Sequence, residues 1–173
     1  SFRTHKVAEQ QLGYVEVLSE KLNIPLWVVH RLDKETSGIM LFAKDKESAA
    51  LLSQLFEEKK VYKKYYFLTD RNATQTEYEA STYIEKIDST YQNVPNKLPN
   101  STTRFTFQKK IGTNNLWLAE PITGKPHQIR LHAEHLGIPL LGDTEHRGSD
   151  WFRLALHSAE IRFDFNNQKF HFK

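Results

Sequence analysis

His30-Arg31-Leu32-Asp33-Lys34-Glu35-Thr36-Ser37-Gly38 is a run of charged and hydroxyl side chains set between two apolar stretches. Leu26-Trp27-Val28-Val29-His30 leads into it and Ile39-Met40-Leu41-Phe42-Ala43 leads out. Both flanks are rich in β-formers and read as strands joined by the loop from Arg31 to Gly38. Ionisable groups held between two strands cannot be buried without partners, so the loop is expected at the rim of a cleft. Arg31 and Lys34 flank Asp33 and favour its ionised form. Thr36, Ser37 and Gly38 suit a tight turn. A capped, charged connecting loop would carry the same residues, and the segment alone does not separate the two readings.

On the N-terminal side, Tyr14, Val15, Leu18 and Leu22 recur at helical spacing, which predicts a helix over 13–23 that starts after Gly13. On the C-terminal side, Asp45 is placed to cap a helix with a buried stripe of Leu51, Leu52, Leu55 and Phe56. Residues 61–69 alternate: Val61, Lys63, Tyr65 and Phe67 share one face of a strand, and Tyr62, Lys64, Tyr66 and Leu68 the other. Strands near 78–87, 102–109 and 115–120 follow, the last two joined by a turn at Gly112-Thr113-Asn114. The polar stretch 88–100 reads as a loop. Residues 127–136 read as a helix between Pro126 and Gly137. The tail alternates on both sides of Asn166-Asn167, as a hairpin does. Strands outnumber helices, and the class is α+β in a single domain over 1–173.

Composition narrows the function less than the motifs do. The chain has 173 residues and a hydrophobic fraction of 39%, enough for a folded core. No apolar run approaches the roughly 20 residues of a membrane helix. Without cysteine, thiolate chemistry and cysteine zinc sites are excluded, and a cytoplasmic monomer is the simplest reading. The net charge of +3 leans toward a polyanion, too weakly to identify one.

The nine-residue loop, followed by an apolar strand and Ala43-Lys44, resembles the signature of RluA-type pseudouridine synthases. Two further matches come in the family's order. Val61-x-Lys63-x-Tyr65 is similar to its tyrosine motif. Thr123-Gly124-x-x-His127-Gln128-Ile129-Arg130-Leu131-His132, running on through Gly137-x-Pro139 to Gly142-Asp143, is similar to its arginine motif. Ser101-x-Thr103-x-Phe105 and Leu154-x-Leu156-His157-Ser158 are smaller echoes, so the resemblance extends from about residue 26 to about 163. There are departures. Lys125-Pro126 stands where the family has Arg-Thr, which keeps a charge but loses the planar fork. Phe67 replaces a smaller residue. The family's opening strand motif and an S4-type RNA-binding domain find no match.

The resemblance implies a mixed, mainly antiparallel sheet with a few helices and a central cleft. It implies isomerisation of uridines in structured RNA, ribosomal or transfer, with no cofactor and no metal. Asp33 would be the nucleophile, Arg130 would pair with it, and Tyr65 would stack on the target uracil and serve as a general base. His30, Arg31, Lys63, Lys125, His127, Gln128 and Ile129 are the expected substrate and RNA contacts. Four rival readings are weaker. A zinc site from His127, His132 and His135 lacks a recognised ligand spacing. A glycosidase on Asp33 and Glu35 has no other support. A hydrolase on Ser37 lacks its elbow motif. A non-catalytic RNA-binding or RNA-folding module on the same fold has no need for Asp33, Tyr65 and Arg130 together.

Overall fold

The computed structural model describes residues 6–173, with side chains from residue 13 onward. The first helix, α1 (Lys6–Leu22), runs through Gly13 instead of starting after it, so this glycine is a helix-interior residue. The strands around the motif loop are shorter than expected: β1 (Trp27–Val28) and β3 (Phe42–Ala43) form a two-residue antiparallel pair. Between them, β2 (Ser37–Gly38) breaks away toward the main sheet. In α2 (Lys46–Glu57), the Asp45 carboxylate accepts from the Ser48 N–H at 2.7 Å, as an N-cap should. Leu52 is buried and Leu55 and Phe56 pack beside it, whereas Leu51 turns outward and is not part of the stripe.

The strands that follow are β4 (Tyr62–Thr69), β5 (Glu77–Ile87), β6 (Thr90–Val94), β7 (Ser101–Ile111) and β8 (Asn114–Pro121). Then come α3 (Gln128–His135), a short 3-10 turn (Thr144–His146), β9 (Leu156–Phe165) and β10 (Gln168–Phe172). The main sheet runs in the order β10-β9-β4-β8-β7-β5-β6, with β2 pairing parallel to β9 and all other pairs antiparallel. The expected loop over 88–100 is corrected by β6, which folds back on β5 through a turn at Asp88 (φ 53°) and Ser89. The tail hairpin is as read: Asn166 and Asn167 both take positive φ, as a two-residue turn between twisted strands requires.

Apolar side chains gather in two clusters. One holds Phe67, Phe105 and Trp117 from the centre of the sheet against Ile129 and Ala133 of α3. The other packs Ala49 and Leu52 of α2 on Val61, Ile161 and Phe163. The Arg31–Gly38 loop crosses between them, and the cleft opens at that seam. Among the described residues no helix is long and apolar enough to cross a membrane.

Gly38 fixes the loop's far end. Its φ is 110°, and a Cβ there would sit 2.1 Å from the Ser158 carbonyl oxygen. Gly38→Ala therefore meets both backbone strain and a backbone clash. We expect a loss of at least about 1–3 kcal/mol, read as a lower denaturant midpoint; an unchanged midpoint would make the β2–β9 contact dispensable.

Candidate active site

Both ends of the motif loop are pinned to the protein. At the start, the His30 ring stacks on Phe56 (centroids 4.5 Å, planes 17° apart) and its Nε2 accepts from the Leu41 N–H at 2.9 Å. At the end, the Ser37 hydroxyl receives a hydrogen bond from Arg153 and lies 2.9 Å from His157 Nδ1. A backbone bond from Thr36 N–H to the Asp33 carbonyl (3.0 Å) tightens the turn between. Asp33 is thus carried on a loop whose two anchors leave little freedom for its backbone.

The cleft beside it, about 670 Å³, is lined by Arg31, Asp33, Lys63, Tyr65, His127 and Ile129 among others. Strand periodicity on β4 places Lys63 and Tyr65 together, as expected. Burial lowers the Lys63 ammonium to about 8. Its Nζ donates to the Thr123 carbonyl at 3.3 Å. Tyr65 is 8% exposed. Burial, with the Asp33 charge adding and the Ser158 hydroxyl opposing, raises its phenol to about 12. At neutral pH Tyr65 is therefore a phenol and not a ready-made base.

Arg130 is where expectation and structure part. Its ion pairs are with Asp143 and Glu145, not with Asp33. Nε and Nη2 form a two-pronged bond to the fully buried Asp143 carboxylate (2.7 and 2.6 Å), and Nη2 reaches Glu145 at 2.8 Å. With Nη1 meeting His127 as well, four of its five N–H donors are engaged away from Asp33. Burial opposes the guanidinium charge, yet Asp143, Glu145 and Asp33 together more than offset it, and its pKa is raised. Asp33 thus acts on Arg130 through space. Asp33, Tyr65 and His127 line the same cleft, and Arg130 touches His127.

Several expected contacts are engaged within the protein. Gln128, 3% exposed, donates to the Thr102 carbonyl and Thr103 Oγ1 and accepts from Thr123 Oγ1 and the Lys125 N–H. It holds the Thr123–Lys125 loop at the cleft. Ile129 is core on one side and cleft wall on the other. His127 sits at φ 54° before α3 and accepts from Arg130 Nη1 at 3.3 Å. Arg31 and Lys125 are exposed at the cleft edge. The histidine trio weighed for zinc is not assembled: His132 is buried and His135 exposed. Among the described residues, His127, Glu145 and His146 do converge, within 4.8 Å of one another. Arg130 already contacts the first two of these, and its charge disfavours a second cation.

His132 has a different task. Its Nε2 meets Thr82 Oγ1 (2.9 Å) and Ser101 Oγ (3.1 Å), and its Nδ1 meets Thr103 Oγ1 (2.9 Å). Burial lowers it from 6.5 to about 4, and burial also lowers His30 to about 4. Both are neutral when folded, while an unfolded histidine takes a proton near pH 6.5. As pH falls from about 6.5 to about 4, the unfolded chain binds protons the folded one cannot, and stability drops. Urea midpoints at pH 7 and 4.5 should show this, with a flatter dependence in His132→Gln. An equal slope in that variant would remove His132 from the account.

Fold and cleft now define a class. The chain belongs to the RNA pseudouridylate synthase family, whose profile matches residues 5–135. It is 34% identical over 167 residues to an uncharacterized RNA pseudouridine synthase of Haemophilus influenzae, an alignment covering 94% of this chain and 74% of that protein. It is 42% identical over 145 residues to ribosomal large subunit pseudouridine synthase C of Rickettsia bellii, and 36% over 149 to that of Vibrio cholerae. Those alignments cover 81% and 80% of this chain, which spans 47% of each relative's length. Among solved structures, human RNA pseudouridylate synthase domain containing 1 superposes with a TM-score of 0.76 at 23% identity, over 89% of this chain and 70% of that one. At that identity the likeness concerns the fold.

The motifs left two kinds of residue unread. Asp143 was in view as the end of the arginine motif, but its pairing with Arg130 depends on the turn at Gly142 (φ 77°) that brings it back. Glu145, His146 and Tyr91 carried no sequence signal at all.

Proposed function

We propose that this chain isomerises uridine to pseudouridine in RNA, with Asp33 as nucleophile. The observation that carries the reading is that Asp33, Tyr65 and His127 line one cleft walled by both cores, with Arg130 in contact with His127. In the reaction the N1–C1′ bond breaks, the base turns, and a C5–C1′ bond forms. The C5 proton is lost and N1 gains one, so no redox partner is needed. Asp33 attacks the base or the sugar, or assists a glycal intermediate. The uridine must first leave its helix, because its reacting atoms are inaccessible in a stack.

Tyr65 supplies a flat wall for the extruded uracil and a phenol that takes up a proton only as it gives its own away. Lys63 offers a donor to the base, and Arg31 and Lys125 meet the flanking backbone at the rim. His30 and Gln128 act by holding the loops that carry these groups. Arg130 acts through its field and by fixing His127 and the Asp143 turn. The names of the relatives favour ribosomal RNA as substrate, and a cytoplasmic monomer fits that role.

Tyr65 gives the test within the cleft. Tyr65→Phe keeps the ring and removes the hydroxyl, so RNA affinity should hold while single-turnover rates fall steeply. Tyr66→Phe, on the opposite strand face, should be near wild type. A dead Tyr66→Phe beside an active Tyr65→Phe would reverse the assignment.

A further inference from the structure

Outside the inner cleft lies a second, larger hollow of about 1440 Å³ between the β5–β6 hairpin and α3. The two share Arg31, Asp33 and His127 at their junction. The inner lobe falls in the range of about 300–1,000 Å³ usual for a single small ligand, and the outer one exceeds it. A strand with one nucleotide extruded into the inner lobe must continue through that junction, so the outer lobe receives its neighbours.

The hairpin is held over the helix by specific bonds. Asn93 donates to the Leu131 carbonyl at 3.1 Å and accepts from Thr82 Oγ1 at 2.7 Å. Tyr91 lies two residues before Asn93 and so shares its face. Lys86 stands directly across the hairpin from Tyr91. The Tyr91 ring is 6.0 Å from His127 and tilted by 47°, beside it without stacking on it. Tyr91 is the one Phe, Tyr or Trp among the described residues lining this lobe. The lobe's charged groups balance, Arg31, Lys34, Lys86 and Arg147 against Asp33, Asp88, Glu134 and Glu145, and what it offers a phosphate is the cations that no carboxylate holds. Glu134 is taken up by His146 and Arg147, and Glu145 by Arg130. Arg31, Lys34 and Lys86 form no ion pair among the described residues. Beside Tyr91, the apolar side chains that line it are Pro126 and Leu131.

We infer that Tyr91 is a second base-stacking residue, which receives the nucleotide adjoining the target uridine while Lys86 and Arg31 meet its backbone. The inference rests on the reading of the inner cleft as the uridine site.

The test uses a nine-nucleotide single-stranded RNA carrying one uridine flanked on both sides by 2-aminopurine, whose fluorescence falls on stacking. Wild type and Tyr91→Phe should quench it. Tyr91→Leu, which keeps apolar bulk but no π face, should lose quenching and bind roughly 5- to 150-fold more weakly, the equivalent of about 1–3 kcal/mol. Matching thermal melts establish that each variant is folded. Equal quenching and affinity in Tyr91→Leu, or none in wild type, overturns the inference. Pseudouridine formation measured in parallel separates the two claims. Turnover without Tyr91-dependent quenching removes only the stacking site; quenching without turnover removes only the proposed reaction.

Discussion

Asp33→Asn is expected to end pseudouridine formation while leaving RNA affinity close to wild type. Asparagine has the same shape and fits the same pinned loop, so the Thr36 and Ser37 contacts and the Gly38 turn survive. What disappears is the charge and the nucleophilic oxygen. We expect a loss of at least ~10⁴-fold, the scale seen when one member of a catalytic unit is removed. Binding depends on other groups: the stacking face of Tyr65 and the cations along the rim, whose contribution weakens as salt rises. Quantifying pseudouridine after a single turnover, beside a binding titration, reads both. Turnover by Asp33→Asn would end the nucleophile assignment; collapse of binding would make Asp33 a structural residue.

Arg130→Met should fail in two ways at once. Arg130 and Asp143 are 7% and 0% exposed, and removing the guanidinium leaves a carboxylate buried without its counter-charge. Breaking such a pair from one side costs about 3–5 kcal/mol, which denaturant unfolding will show. Activity should be lost even where the variant remains folded, because His127 and Glu145 lose their shared contact and Asp33 loses a nearby positive charge. Arg130→Lys keeps the charge without the fork and should be intermediate in stability. Lys109→Met, at an exposed position on β7, is the control and should match wild type. If Arg130→Met is as stable and active as that control, the buried pair does none of this.

What could be read from the sequence, and what could not, follows from how local each signal was. The Asn166-Asn167 turn, the Asp45 cap and the phase of β4 depend on neighbours within a few residues, and all three are as the pattern predicts. Strand β6 is different. Thr90-Tyr91-Gln92-Asn93-Val94 lies at the edge of the sheet, has little apolar alternation, and is fixed by Asn93 reaching across to α3. Gly13 lies inside a helix despite its low propensity. At the site, Asp33, Tyr65 and Arg130 were legible as residue types in ordered motifs. Their partners were not. Arg130 turned out to be satisfied by Asp143, and His30 and Gln128, read as RNA contacts, spend their hydrogen bonds on Leu41 and on Thr102, Thr103, Thr123 and Lys125. A motif names groups; only the fold decides which of them are left over for a substrate.

We expect this chain to perform the isomerisation by itself. The direct measurement is to incubate the purified chain with ribosomal RNA transcribed in vitro, which contains no modified nucleosides, and to count pseudouridine by nucleoside mass spectrometry and mapping. Pseudouridine at discrete uridines, formed without added metal or cofactor and absent with Asp33→Asn, is the predicted result. RNA that is bound yet acquires no pseudouridine at any position would contradict it, and would leave the chain a binding module on a synthase fold.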